Sequence, residues 1–360
     1  MNIGQICYNC RMKSLNDFDF KNKTVLLRVD YNVPIKDGKI TDDLRIRASV
    51  PTINYLLEHG AKRIILISHL GRPDGKVDPE FTLSPVSGVL SKLFPNQAVG
   101  FYSLPEVGQK NEIPENCKIA LLENLRFNPG EEGNSAEFAK AIVDATSADA
   151  FVQDGFAVLH RAHASTDAIT KILPSCAGLL VENETKNLSL ALKNPAHPAL
   201  LIIGGAKVSD KAPLIDGLVD KFDHVAVGGK IAADGYANDN PKVYVATDFD
   251  ENAAGEKLDI GPISTAEIAN LIVDAKTIIW NGLLGYAEDP AYATASNIVA
   301  EIIGEKSDAT TIICGGDTTG FVENLVKNHP NLRYSLISTG GGAALEYLLG
   351  KDMPGLKALE

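Results

Sequence analysis

The 360-residue sequence is short of aromatic side chains, at 6% with a single tryptophan, and carries only three methionines and five cysteines. A small, odd cysteine count in a long chain argues against a disulfide framework and for a reducing compartment, here taken as the cytoplasm. No run approaches ~18 uninterrupted apolar residues, which excludes a membrane-spanning helix. The opening MNIGQICYNCRMK also lacks the apolar core of a secretory signal. A cationic excess is missing as well: 34 Lys+Arg against 46 Asp+Glu leave a net charge of −12, which disfavours nucleic acid as a partner. What remains is a globular composition, 45% hydrophobic and 22% charged. Single cores stop growing near roughly 250–300 residues, so two domains are expected.

The charge is uneven. Residues 1–183 hold 20 basic and 22 acidic side chains, whereas residues 184–360 hold 14 and 24. Eight of nine arginines (Arg11, Arg28, Arg45, Arg47, Arg63, Arg72, Arg126 and Arg161) lie in the first half, and only Arg333 in the second. Arginine presents a fixed fork of donors matched to phosphate and carboxylate oxygens.

Both halves alternate short apolar runs with helical patterns. The runs are 24–29, 63–68, 118–122 and 150–152, then 200–203, 224–227, 243–246, 277–280, 310–313 and 334–337. Ile46, Val50, Ile53 and Leu57 recur at helical spacing, which predicts one helix over 45–59 stopped by Gly60. Pro85 after Ser84 marks a helix start. Ser264 with Glu267 reads as a capping box before Ile268, and Ala343–Leu349 as a short helix ended by Gly350. Short strands alternating with helices imply parallel sheets covered on both faces. The expectation is α/β, with two Rossmann-like doubly wound parallel-sheet domains joined by a helix and hinge, 1–183 and 184–338. A continuous helix near 181–192 would transmit a hinge rotation better than a floppy tether.

Open parallel sheets bind ligands at the carboxyl ends of their strands. Those ends carry Asp30 and Asn32, then His69 and Arg72, then Arg126, then His160, Arg161 and His163, with Arg45 opening the first helix. Three arginines beyond separate strands predict a polyanionic small-molecule site, and Asp30 and Asn32 add acceptors suited to a ligand hydroxyl. In the second half the corresponding turns are Gly204-Gly205-Ala206-Lys207 with Lys211, Cys314-Gly315-Gly316-Asp317-Thr318, and Ser338-Thr339-Gly340-Gly341-Gly342. Gly-Gly lets backbone N–H groups approach phosphate at a helix N-terminus, and Asp317 is a hard ligand suited to Mg²⁺. Neither a P-loop nor a strand-linked G-x-G-x-x-G is present. No second ligand pair accompanies the Cys7–Cys10 C-x-x-C pair, so neither a zinc nor a redox role is expected of it.

RVDYNVP, SHLGRP, LLENLRF, HRAH, GGAKVSDK, WNG, GGDT and STGGGA, in this order, resemble the phosphoglycerate kinase family from Arg28 to the final helix. The resemblance implies reversible phosphoryl transfer between 1,3-bisphosphoglycerate and ADP, giving 3-phosphoglycerate and ATP with Mg²⁺, by a monomer whose domains close on a hinge. It implies glycerate ligands at Asp30, Asn32, Arg45, His69, Arg72, Arg126 and Arg161. Nucleotide ligands fall at Gly205, Lys207, Lys211, Glu288, Gly315, Gly316, Asp317 and Thr318, with Glu288 on the ribose, Asp317 on the metal and Thr318 on the phosphates. Arg45 and Lys207, with the backbone of Gly340 and Gly341, resemble the groups that stabilise the phosphoryl group in flight. Residues 339–360 would return to the first domain.

Several positions depart from the family pattern. The 228–242 segment is short where part of the adenine wall is expected. Leu283, Cys314, Gln153 and 157–159 are also atypical. None removes an expected charged residue, which implies activity with altered nucleotide affinity or specificity. The alternative is a catalytically impaired binding protein. Retention of Arg45, Lys207, Lys211, Asp317 and Thr318 favours the kinase.

Overall fold

The computed structural model describes residues 12–104, 108, 112–206 and 208–360, so Lys207, Cys7 and Cys10 lie outside the described residues. The chain divides into two compact units. One runs to Glu182 and takes back Asp352–Glu360; the other is Asn183–Lys351. No described helix is long and apolar enough to cross a membrane.

The first unit contains β1 (Thr24–Arg28), a small hairpin of β2 (Ile35–Lys36) and β3 (Lys39–Ile40), then β4 (Arg63–Ile67), β5 (Val99–Tyr102), β6 (Ile119–Leu122), β7 (Ala150–Gln153) and β8 (Ser175–Ala177). Six of these form one sheet in the order β5-β6-β4-β1-β7-β8, with every pairing parallel. Side chains alternate across a strand. Val25, Leu27, Ile64, Leu66, Ile119 and Leu121 therefore enter one core, and Leu26, Ile65, Ile67, Ala120, Leu122 and Phe151 the other. Burying an aliphatic side chain of this kind contributes about 1.5–3 kcal/mol. Two-sided burial is why these strands read as unbroken apolar runs.

The second unit contains β9 (Ala199–Ile203), β10 (His224–Val227), β11 (Val243–Val245), the hairpin β12 (Phe249–Glu251) and β13 (Lys257–Ile260), then β14 (Thr277–Asn281), β15 (Thr310–Cys314) and β16 (Leu336–Ile337). Its main sheet runs β11-β10-β9-β14-β15-β16, again all parallel. In each unit the chain works outward on one side and then crosses back, so the strand order reverses between β1 and β7 and between β9 and β14. Crevices at such reversals are the standing ligand sites of doubly wound sheets.

The structure departs from the sequence expectations in three places. The 45–59 helix is two, Leu44–Ala48 and Val50–Glu58, broken at Ser49. The Ser49 hydroxyl faces inward, where it bonds the Ile46 carbonyl and the buried Tyr31 hydroxyl, and Pro51 restarts the helix. The capping box at Ser264 does not form, because the helix begins earlier, at Pro262. Asp248 instead accepts from the Ile263 and Ser264 N–H groups at 2.9 and 2.8 Å. Residues 339–351 remain in the second unit, held where Tyr347 meets Ser189 at 2.6 Å and Thr339 meets Glu184; only the segment from Asp352 onward joins the first.

Candidate active site

The carboxyl edge of the first sheet is built on buried polar pins. Ser68, at the end of β4, accepts the Tyr31 N–H through its hydroxyl at 2.8 Å, tying the turns after β1 and β4 together. Asn124, fully buried after β6, accepts from the N–H groups of Leu70 and Arg126 and donates to the carbonyls of Leu70 and Phe81. Burying an amide costs free energy unless its donors and acceptors are met. Here they are met by the two turns that carry the predicted ligands.

On this frame Arg45 places Nη1 2.6 Å from Asp30 Oδ2 and 3.3 Å from the Asn32 carbonyl. Asn32 Oδ1 accepts the Gly71 N–H at 3.0 Å. Arg126 donates to the Gly71 carbonyl at 2.7 Å and pairs with Glu132 at 3.0 Å. Burial lowers its pKa, as do Arg161 and Arg72, while Glu132 and Glu131 oppose the shift. Arg161 contacts His160 at 3.0 Å. Asp30, Asn32, Arg45, His69, Arg72, Arg126 and Arg161 thus belong to one edge. Arg126 feels the charges of Arg72 and Arg161, and His69 those of Arg126 and Arg45.

Sequence reasoning missed the acids and the innermost base. Arg28 ends β1 with no exposed surface, and Glu131 is equally buried. Desolvation is the largest influence on both, lowering the arginine and raising the carboxyl. Arg28 was legible as a charged residue closing an otherwise apolar strand, and Glu131 only as one acid in a polar stretch. His163 is pushed down to about 4, first by desolvation and then by Arg126, Arg28 and Arg161.

In the second unit a cavity of about 500 Å³ sits at the strand-order reversal. Its lining includes Gly205, Lys211, Glu288, Gly315, Gly316, Asp317 and Thr318, together with Lys230, Lys257, Leu258 and Tyr286. Gly282 has φ +98°, and a Cβ there would collide with the Gly204 carbonyl, so glycine is what lets β9 and β14 release their chains side by side. Gly315 has φ +90° and caps the helix Gly316–Asn328, which carries Asp317 in its first turn. The fully buried Thr318 hydroxyl accepts the Gly282 N–H at 2.8 Å, pinning this helix to β14. Lys211 Nζ bonds Asn281 Oδ1, while Asn281 Nδ2 is a buried donor with no protein partner. Asn281, quoted in WNG without a role, is a further residue that the sequence left unread.

Between β10 and β11 the 228–242 segment supplies only the short helix Gly229–Ala233. The wall beyond it comes from Lys257 and Leu258 of β13 and from Tyr286. Gly340 and Gly341 follow β16, and Gly341, with φ +51°, precedes the helix Gly342–Leu348. No group of three or more His, Cys, Asp or Glu suited to a metal occurs among the described residues.

The phosphoglycerate kinase family profile matches residues 15–237 and 232–351. The phosphoglycerate kinase of Coprothermobacter proteolyticus is 38% identical over 97% of this chain and 99% of its own. That of Moorella thermoacetica is 39% identical over 96% and 98%. Among solved structures, the phosphoglycerate kinase of Coxiella burnetii aligns with a TM-score of 0.77 at 34% identity, covering 97% and 99% of the two chains. The Pyrococcus horikoshii enzyme aligns at 0.81 and 28%, covering 97% and 98%. A family profile spanning most of the chain, 38–39% identity over nearly its whole length and close structural alignment of its two parallel-sheet α/β units have one explanation: the chain belongs to the phosphoglycerate kinase family.

Proposed function

We propose that the protein catalyses reversible phosphoryl transfer between 1,3-bisphosphoglycerate and ADP, giving 3-phosphoglycerate and ATP. Asp30, Asn32, Arg45, His69, Arg72, Arg126 and Arg161 would hold the glycerate. Gly205, Lys207, Lys211, Glu288 and Gly315–Thr318 would hold the nucleotide. The observation that carries this reading is that one chain holds both a guanidinium-rich sheet edge, in its first unit, and a glycine-lined cavity at a helix N-terminus, in its second.

Asp317, exposed in the first turn of its helix and lining the cavity, fits Mg²⁺. This ion is commonly bound by one or two carboxylates completed by substrate phosphates and water, so a lone protein carboxylate suffices. When bound, Mg²⁺ neutralises charge on the nucleotide phosphates.

The acceptor in the ATP-consuming direction is a carboxylate, ionised at neutral pH, so no side chain need remove a proton. Catalysis reduces to positioning and to stabilising the equatorial oxygens. Arg45, and separately Lys207 and the backbone N–H groups of Gly340 and Gly341, are assigned to that charge. An arginine in such a role is worth on the order of 10³–10⁵ in rate. Asn281 Nδ2, an unpaired buried donor beside Lys211, adds a hydrogen bond for a nucleotide oxygen.

A cytoplasmic monomer acting on small molecules, without nucleic acid or membrane partners, completes the proposal. The free buried thiols of Cys117, Cys176 and Cys314 support a reducing compartment. A coupled assay with ATP, Mg²⁺ and 3-phosphoglycerate tests the function. Turnover is expected; its absence at millimolar substrate, with 3-phosphoglycerate still bound, would leave a binding protein instead.

A further inference from the structure

Beneath the glycerate edge lies a buried polar chain that the proposed chemistry does not use. Arg28 points its three nitrogens in three directions. Nε donates to the Ser165 hydroxyl at 3.0 Å, Nη2 lies 3.2 Å from Nδ1 of His69, and Nη1 donates to the Val29 carbonyl. Ser165 passes the chain on: its hydroxyl donates to Glu131 Oε1 at 2.6 Å and its N–H to Oε2 at 3.1 Å. Arg28, Ser165 and Glu131 have no exposed surface, and His69 is 5% exposed.

A guanidinium has donors and no acceptor. The His69 nitrogen facing it must therefore be the bare lone pair. The other candidate partner of Nδ1, Asp30 Oδ1, stands at 3.9 Å, too far for a hydrogen bond. We propose that Arg28, braced through Ser165 by Glu131, is a positioning residue that holds His69 as the neutral tautomer with its proton on Nε2. His69 then offers one fixed donor to the anionic ligand. Glu131 keeps Arg28 oriented and balances its charge.

The surroundings agree. The charged groups acting on the ring are Arg28, Arg126 and Arg45, with His163 beside them and Asp30 at 3.9 Å. Desolvation and then these cations hold the ring's pKa well below its ordinary value. A neutral ring with a mobile proton would present Nε2 as donor in one tautomer and acceptor in the other, and the acceptor form repels a carboxylate or phosphate. Fixing the tautomer removes the repulsive form before the ligand arrives, which is preorganisation by a group that need never touch the ligand.

This inference rests on the glycerate-site reading above, and its test separates the two. In the full-length protein labelled with ¹⁵N-histidine, His69 is assigned by comparison with His69→Asn. Long-range ¹H–¹⁵N correlations should show an unprotonated Nδ1 and a protonated Nε2, unchanged from about pH 5.5 to 8. A protonated Nδ1, averaging between tautomers, or titration near the ordinary histidine value would overturn it. Arg28→Lys keeps the charge but loses the fork. Its His69 signal should move towards tautomer averaging, and 3-phosphoglycerate binding should weaken about 10-fold or more, the effect of one hydrogen bond to a charged group. ATP affinity should stay as in the parent. A folded Arg28→Lys protein with the parent's tautomer and glycerate affinity would also refute the assignment, and if that variant fails to fold, the parent spectrum alone decides. Absence of any 3-phosphoglycerate binding to the parent would instead remove the glycerate reading and leave the tautomer measurement standing.

Discussion

The carboxylate of Glu184 accepts two hydrogen bonds from Thr339, from its backbone N–H at 2.7 Å and from its hydroxyl at 3.2 Å, so the helix Leu179–Lys193 grips the glycine-rich turn directly. Glu184 is 1% exposed. Desolvation raises its pKa to about 7, against the bonds from Ser338, Thr339 and Gly340.

That shift has a sign. The unfolded carboxyl titrates near 4.5, so between about 4.5 and 7 the native state binds the extra proton and stability falls as pH rises. The cost above pH 7 is up to ~3 kcal/mol. Glu184→Gln removes the titration. Its melting temperature relative to the parent should therefore improve steadily from pH 5 to pH 8, and parallel stability curves across that range would contradict the assignment.

Arg126→Ala should weaken 3-phosphoglycerate binding by ~1.5–3 kcal/mol, the worth of one charged hydrogen-bonding partner. Calorimetric titration measures it directly, with ATP binding as the internal control. Unchanged glycerate affinity would remove Arg126 from the site.

Asn124→Ala strips the pin that joins the turns after β4 and β6. It leaves partners at Leu70, Phe81 and Arg126 unmet in a buried place. A loss of ~2–4 kcal/mol in urea unfolding is expected, together with weaker glycerate binding in whatever fraction remains folded. Parent-like stability would show that water replaces the amide at no cost.

Asp317→Asn should raise the Mg²⁺ concentration needed for half-maximal turnover while leaving 3-phosphoglycerate affinity intact. Chelation with EDTA should abolish turnover in the parent. A Mg²⁺ dependence identical in variant and parent would move the metal elsewhere.

Lys207→Ala should lower turnover by orders of magnitude with glycerate affinity nearly unchanged. An equal loss of ground-state binding would contradict a role confined to the transition state.

Much of the fold was readable because buried parallel strands leave a plain trace. Thr24–Arg28, Arg63–Ile67, Thr277–Asn281 and Thr310–Cys314 are apolar or β-branched stretches, with Arg28, Arg63 and Asn281 only at their ends, followed by chemistry-bearing turns. The elements that escaped have weaker traces. Val99–Tyr102 is an edge strand with every residue only half-buried, and its Gly100 lowers strand propensity. The helix Val208–Leu218 contains Pro213 and Gly217, two residues of low helix propensity that weaken its periodic trace. Ser49 looked like an ordinary helical position; only the Tyr31 hydroxyl waiting beneath it explains the break.

The candidate site divides in the same way. Ligand types at strand ends follow from local order, because a strand of known direction delivers its next residues to one edge whatever surrounds it. The sequence by itself therefore determined two parallel α/β units, the guanidinium-rich edge and the glycine turns. Only tertiary structure decided which acids answer which bases. Glu131, Ser165, Arg28 and His69 come from four separated segments, and their protonation is set by burial and by distances of a few ångströms. Coulomb and desolvation energies depend on separation in space and on exclusion of water, and neither quantity is written along the chain.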